Sequence, residues 1–311
     1  MKQKFHKLYT DISGNTIGFL TYEYGKGKKG LYIQGGVHGG EMTYFIFKKL
    51  NEFLLKNERL LKKKILLAPI INPVAWSQRI YYYTVGKFDL YKGTDWNRSY
   101  PGGDTSLSAR NSKIVFNLAK EYDLILDLHT ARISKPYTIF TNKQSLSTIK
   151  TLGFSYNQFI DFTNPANSKY KGIISDAINN LNKQGIVIEC GSHDNLDLES
   201  IEIVFQSIKR FIYKSGIIVN RKHLSYPETK IFDKIDVVYS PISGFIKYIK
   251  YPQEEFKKKD ILCEIYPSNL LDKVVKIKTP YNGIMFELAK THIVWTGDEL
   301  MRIIDKKNLK Y

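Results

Sequence analysis

From residue 30 to about residue 216 the chain alternates short apolar runs with longer stretches of helical spacing. Leu31-Tyr32-Ile33 runs into Gly35-Gly36, and the stretch from Glu41 to Lys56 places Phe45, Leu50 and Leu54 at helical intervals. Residues 65–71 predict a strand closed by Asn72-Pro73. Residues 108–122 predict a helix, and residues 124–128 the strand that follows it. Helix recurs over 173–181, strand over 186–188, and a last amphipathic helix over 198–213. Continuous apolar runs mark strands covered on both faces. The expected fold class is therefore α/β, with a mostly parallel sheet flanked by helices.

Beyond Gly216 the pattern changes to short strands and turns with no helical periodicity. It also repeats. Ser240-Pro241-Ile242-Ser243-Gly244-Phe245-Ile246 is echoed by Thr279-Pro280-Tyr281-Asn282-Gly283-Ile284-Met285, 39 positions later. Lys259-Asp260-Ile261-Leu262 is echoed by Gly297-Asp298-Glu299-Leu300, 38 positions later. Pro-x-x-Gly before alternating residues suits a strand entered through a turn, and x-Asp-x-Leu suits a hairpin leading into the next strand. Two such copies predict a small β-sandwich or barrel. The expected division is residues 1–224 and residues 225–311.

Composition narrows the class. The 311 residues are 43% hydrophobic and 25% charged, which excludes a disordered or collagen-like chain. No apolar run approaches the roughly 18 residues of a membrane helix, and no apolar stretch follows the N-terminal lysines as a secretory signal would. Two cysteines far apart, Cys190 and Cys263, make no disulfide framework, so a reducing cytoplasm is the expected home. The net charge of +17 raises a nucleic-acid partner. The excess is mostly lysine in short scattered runs, however, and there is no RNP motif, zinc finger or arginine-rich helix. Solvated faces and attraction of small anionic substrates account for it, so neither a specific nucleic acid nor a membrane is expected.

Four polar sites punctuate the α/β half at the ends of expected strands, where open sheets place ligands. In Gly35-Gly36-Val37-His38-Gly39-Gly40-Glu41, glycines disfavour helix and let a loop aim an imidazole and a carboxylate at one point. Asp127-Leu128-His129-Thr130 ends another strand. Together His38, Glu41 and His129 are a His2Glu set, the ligand type of catalytic zinc with a fourth position open. Taken alone, His-x-x-Glu is common on surfaces; glycine crowding and a second strand-end histidine lift it above that. Asp95-Trp96-Asn97-Arg98 offers a guanidinium fork and an amide for a carboxylate, or simply a turn with a surface arginine. Glu189, ending a buried strand before Cys190-Gly191, is placed like a general base beside a metal, or like a salt-bridged carboxylate. Cys190 alternates with it and should face away, as a buried thiol. Asp127 is placed to orient an imidazole, and His193 to line a pocket or a solvent-exposed loop. His6, His223 and His292 have no partner visible in sequence.

The order His38-x-x-Glu41, Asn97-Arg98, His129, Glu189, with its flanking Gly-Gly-Val-His-Gly-Gly-Glu, Asn-Arg-Ser-Tyr-Pro-Gly and Asp-Leu-His-Thr, resembles the succinylglutamate desuccinylase/aspartoacylase family, relatives of the zinc carboxypeptidases. The resemblance spans nearly the whole chain. It implies a zinc-hydrolase catalytic domain, with one zinc per chain on His38, Glu41 and His129 and with Glu189 as general acid/base. Asn97 and Arg98 become the clamp for a substrate carboxylate. Arg79 resembles the arginine that polarises the scissile carbonyl, although its spacing to Asn97 is longer than in the family. Trp96 and Tyr100 replace apolar neighbours in the family's Asp-Leu-Asn-Arg-x-Phe. The C-terminal repeat resembles a barrel-sandwich hybrid of the biotinyl/lipoyl type, but the segment between its copies lacks a carrier lysine in context. The implied activity is hydrolysis of the amide of an N-acyl amino acid or a similar small acidic amide. A metallocarboxypeptidase or peptide amidase with the same centre is the near alternative. A non-catalytic or nucleic-acid-binding protein is the distant one.

Overall fold

The computed structural model describes residues 1–81, 83–219, 227–269, 271 and 273–310. The expected boundary at 224/225 and His223 lie outside these residues. The chain divides into two compact units. One comprises residues 1–130 and 136–229, and the other residues 131–135 and 230–311.

The first unit begins with β1 (Lys2–Thr10), β2 (Thr16–Tyr24) and β3 (Lys29–Gly35), then α1 (Tyr44–Asn57), β4 (Lys64–Ala68) and α2 (Pro73–Ser77). Two small hairpins follow, β5 (Arg79–Ile80) with β6 (Tyr83–Thr84), and β7 (Phe88–Asp89) with β8 (Thr94–Asp95). The rest is α3 (Leu107–Ala119), β9 (Leu124–Ala131), β10 (Tyr137–Phe140), α4 (Leu146–Leu152), β11 (Tyr156–Phe159), α5 (Ile174–Asn179), β12 (Gln184–Ser192) and α6 (Leu198–Lys214). Its main strands run in the order β1-β2-β4-β3-β9-β12-β10-β11.

This sheet is mixed, where a mostly parallel one was expected. β3 is parallel to β4 and β9, and β10 to β11; β1–β2, β2–β4 and β10–β12 are antiparallel. The reasons are local. β1 and β2 form a hairpin ahead of the first strand–helix unit, and β1 is mostly exposed, so it gives no continuous apolar run. β10 starts only a few residues after β9, too few for the helical crossover a parallel neighbour needs.

Pairing sets the layers. Tyr32 stands beside Leu66 and Ile125 in one row, on the face packed against Val115 and Ala119 of α3 and Ile174 and Ile178 of α5. The alternate residues face the other way, where a Cβ on Gly35 would meet Phe47 of α1 at 2.7 Å. α1 in turn packs on α6 through Phe53 against Phe205 and Tyr213. Burying these rows removes water from both faces at roughly 25 cal/mol per Å² of apolar surface. Among the described residues no helix is long and apolar enough to cross a membrane.

The second unit holds β13 (Lys230–Phe232), β14 (Asp236–Tyr239), β15 (Gly244–Tyr248), β16 (Glu255–Phe256), β17 (Ile261–Tyr266), β18 (Val275–Lys278), β19 (Gly283–Leu288), β20 (Ile293–Val294) and β21 (Glu299–Asp305). Two four-stranded antiparallel sheets, β14-β21-β19-β16 and β18-β17-β15-β20, enclose a core that includes Leu262, Ile265, Met285 and Leu300. Moving each strand of the first sheet by four places in sequence order, forward for β14 and β16 and back for β19 and β21, generates the second, so each sheet takes strands from both sequence copies. The turn contacts repeat as well. Ser240 N bonds Asp298 O and Ser240 O accepts from Gly297 N; Thr279 N bonds Asp260 O and Thr279 O accepts from Lys259 N. Both hydroxyls are buried and donate to the carbonyl two residues on, at 2.6 and 2.8 Å.

Candidate metal centre

The strand ends of the first unit converge where polar residues were expected. After β3 the backbone must turn out of the sheet, and Gly36 (φ 66°) and Gly40 (φ 84°) take left-handed conformations that side chains resist. Asn72 holds this loop from below. It donates to Val37 O at 2.9 Å and caps α2 by accepting from Ala75 N at 3.2 Å. His38 and Glu41 thereby leave the loop on the same side, just before α1.

Glu41, fully buried, stands between two imidazoles. Its Oε1 is 2.9 Å from His38 Nδ1 and 2.8 Å from His129 Nδ1, while Oε2 accepts from His38 N at 3.2 Å. The remaining ring nitrogens are also held. His38 Nε2 is 2.9 Å from Asp95 Oδ1, and His129 Nε2 is 2.8 Å from Asp127 Oδ2, with Asn97 Nδ2 at 3.1 Å. Asp127 in turn accepts from Gln34 Nε2 at 2.8 Å. Each imidazole thus turns Nδ1 to the shared carboxylate and Nε2 to an aspartate.

The electrostatics follow from that packing. Burial would raise the Glu41 carboxyl, but the His129 and His38 rings override it and hold it well below the usual carboxylate range. Burial would lower His129, yet Asp127 and Glu41 hold it well above its ordinary value. Asp95 is also held low: burial opposes ionisation, and His38 and Lys87 outweigh it. Contacts this short between ring nitrogens and one oxygen need protons on both Nδ1 atoms, and a divalent cation can take the place of such protons. The three ligand atoms lie within 4.8 Å of one another. With Nε2 donating to an aspartate, each Nδ1 keeps its lone pair for a metal, the carboxylate–histidine arrangement that fixes tautomer and ring orientation. The donor set fits zinc.

Of the other expected site residues, Asn97 touches His129 and Arg98 approaches Asp95. Asn97 is buried with its amide against His129, and its Oδ1 has no hydrogen-bond partner among the described residues. Arg98 is partly exposed; Nε donates to Lys169 O at 3.1 Å and Nη1 to Asn97 O at 2.8 Å, 3.9 Å from Asp95 Oδ2. Glu189 lies partly exposed near the end of β12, the strand beside β9. Burial first, then the charges of Glu189, Glu41 and Asp127, push the Cys190 thiol well up. Arg79 stands exposed on β5, paired with Thr84, and among the described residues no hydrogen bond or ion pair joins it to the three ligand candidates. His193 pairs with Thr130 Oγ1 at 2.8 Å, next to His129 in sequence. His6 and His292 are spent elsewhere, on Thr21 Oγ1 and Ile246 O.

Sequence reasoning passed over Asp95, Lys87 and Gln34. Asp95 carried a usable signal, since it precedes Asn97 in the way Asp127 precedes His129. Lys87 and Gln34 carried none.

Residues 27–213 match the family model described as the succinylglutamate desuccinylase/aspartoacylase catalytic domain. Among solved structures, a succinylglutamate desuccinylase/aspartoacylase family protein from Shewanella amazonensis is similar with a TM-score of 0.87 at 19% identity, over 98% of this chain and 99% of its own. A succinylglutamate desuccinylase/aspartoacylase from Shewanella frigidimarina gives 0.86 at 18% identity, over 98% and 97%. The product-bound ectoine utilization protein EutE (DoeB) from Ruegeria pomeroyi gives 0.79 at 15% identity, over 97% and 95%. At these identities the likeness shows the fold. No curated protein matches.

Proposed function

The chain belongs to the succinylglutamate desuccinylase/aspartoacylase family, a family of deacylases, and from that footing we propose that it is a zinc-dependent amidohydrolase of N-acyl amino acids or similar small carboxylate-bearing amides. The observation that carries the metal reading is the meeting of His38 Nδ1, His129 Nδ1 and Glu41 Oε1, with each opposite Nε2 on an aspartate. His38, Glu41 and His129 would hold the ion. When bound, zinc supplies Lewis acidity, polarising an amide carbonyl and making water acidic enough to attack near neutral pH.

The chain's own residues supply the rest. Glu189, on β12 beside the strand that carries His129, takes the proton of the attacking water and returns it to the leaving amine. Arg98, anchored by two carbonyls, presents its remaining N–H groups to a substrate carboxylate, and the Asn97 amide adds a buried polar group beside His129. Held there, the amide needs no further search for the reacting geometry. Arg79 belongs to the proposal only as the oxyanion arginine, on a hairpin that would have to bring it inward. The finer reading of the fold is a zinc-carboxypeptidase-like catalytic domain over 1–224 and a barrel-sandwich-like β-domain over 225–311, with the repeat contacts in its support. The cytoplasm is the proposed location.

The test is a hydrolysis screen of the zinc-loaded protein on N-acyl amino acids, their carboxyl-amidated counterparts and dipeptides. Turnover of the free acids with little on the amidated forms is expected. Preference for longer peptides would favour the carboxypeptidase alternative, and no hydrolysis of any acyl-amino acid would refute the proposal.

A further inference from the structure

A cation with no part in the proposed function touches the centre directly. Lys87 Nζ lies 3.0 Å from Asp95 Oδ2 and 3.2 Å from His38 Nε2. The backbone builds this contact. Gly39 N donates to Gly86 O at 3.0 Å. A Cβ on Gly86 would stand 2.1 Å from Ala75 O, and one on Gly39 would stand 2.4 Å from Ala75 O and from Thr84 Cγ2. Glycine at both positions therefore lets the segment before β7 lie against the loop that carries His38. Lys87 itself is pinned, its N–H donating to Val85 O at 2.7 Å and its carbonyl accepting from Trp96 N at 3.4 Å. Half its side chain remains exposed, so this ammonium is held at the rim of the centre and not buried for packing.

We propose that Lys87 is a positioning residue that weakens the hold of this centre on its metal and keeps the ion exchangeable; the inference rests on the zinc reading above. Two neighbours compete for His38 Nε2. Asp95 can only accept from it, and Lys87 can only donate to it. Donation by Lys87 requires a lone pair on Nε2 and so places the ring proton on Nδ1, the atom facing Glu41. A metal on Nδ1 requires the opposite tautomer, with Nε2–H given to Asp95. Lys87 also neutralises Asp95, which lowers the electron donation that aspartate passes through the ring, and its charge repels a divalent cation across one imidazole. All three effects act in the same direction. Arg98, the other cation near Asp95, is farther away at 3.9 Å and is engaged with two carbonyls.

The test compares wild type with Lys87→Met and Lys87→Arg, titrating zinc ion against a chelating indicator and following loss of zinc to excess EDTA. Lys87→Met should bind zinc about tenfold more tightly and release it correspondingly more slowly. Lys87→Arg keeps the charge and should stay within about threefold of wild type. Zinc affinity in Lys87→Met that is equal to or weaker than wild type overturns the inference while leaving the zinc centre standing. A folded wild type that takes up no zinc overturns both.

Discussion

Asp127→Asn is a sharp perturbation of the centre because it keeps the shape and removes a charge. Asp127 is fully buried and uses one oxygen for Gln34 Nε2 and the other for His129 Nε2, each at 2.8 Å. An amide offers one acceptor and one donor. One of the two contacts must then set donor against donor, unless Gln34 turns over. In the better arrangement His129 keeps a neutral acceptor and loses its anionic one. A hydrogen bond to a charged group contributes about 1.5–3 kcal/mol against about 1 kcal/mol for a neutral one. Partners of ligand imidazoles carry about ten- to a hundredfold in metal affinity. The two estimates overlap at about ten- to thirtyfold, since tenfold corresponds to about 1.4 kcal/mol. Zinc affinity measured against a chelating dye should therefore fall about ten- to thirtyfold in Asp127→Asn. Gln34→Leu, which spares the imidazole's partner, should lower the unfolding midpoint with a much smaller change in affinity. Zinc affinity within twofold of wild type in Asp127→Asn would refute the reasoning.

Two further outcomes follow from the same geometry. Glu189→Gln should retain zinc while turnover falls by roughly two to four orders of magnitude; full activity would move the base elsewhere, with Asp127 next. Protein stripped of metal should be most stable between about pH 4.5 and 6.5 in urea titrations. Glu41 and Asp95 are held low, so their contribution is present above the ordinary carboxylate range and is lost as pH falls; His129 is held high, so its contribution is full below 6.5 and is lost as pH rises through its raised value. Stability that keeps rising to pH 9 would contradict this.

What the sequence made legible follows its physics. The glycine-crowded loop and the strand ends pointed to His38, Glu41 and His129 because backbone constraint and chemistry occur together there. The repeat was legible because its turns depend on a few residues, Ser240 and Thr279, Asp260 and Asp298, whose contacts recur in space. The β1–β2 hairpin was not, since an exposed strand leaves no apolar run. Lys87 was invisible for another reason. It reaches His38 through the close approach of two glycine backbones from separate segments, and no local pattern records a missing Cβ that matters only in the fold. Likewise the longer stretch between Arg79 and Asn97 could be counted, but its two hairpins and the lysine between them could not be read from it.

The central claim is that His38, Glu41 and His129 together hold a zinc ion. Metal content by elemental analysis of the wild type, His38→Ala and His129→Ala, each purified and checked for folding, tests it most directly. About one zinc per chain in the wild type and loss of it in both folded variants is the result predicted. Full metal content in both variants would contradict it.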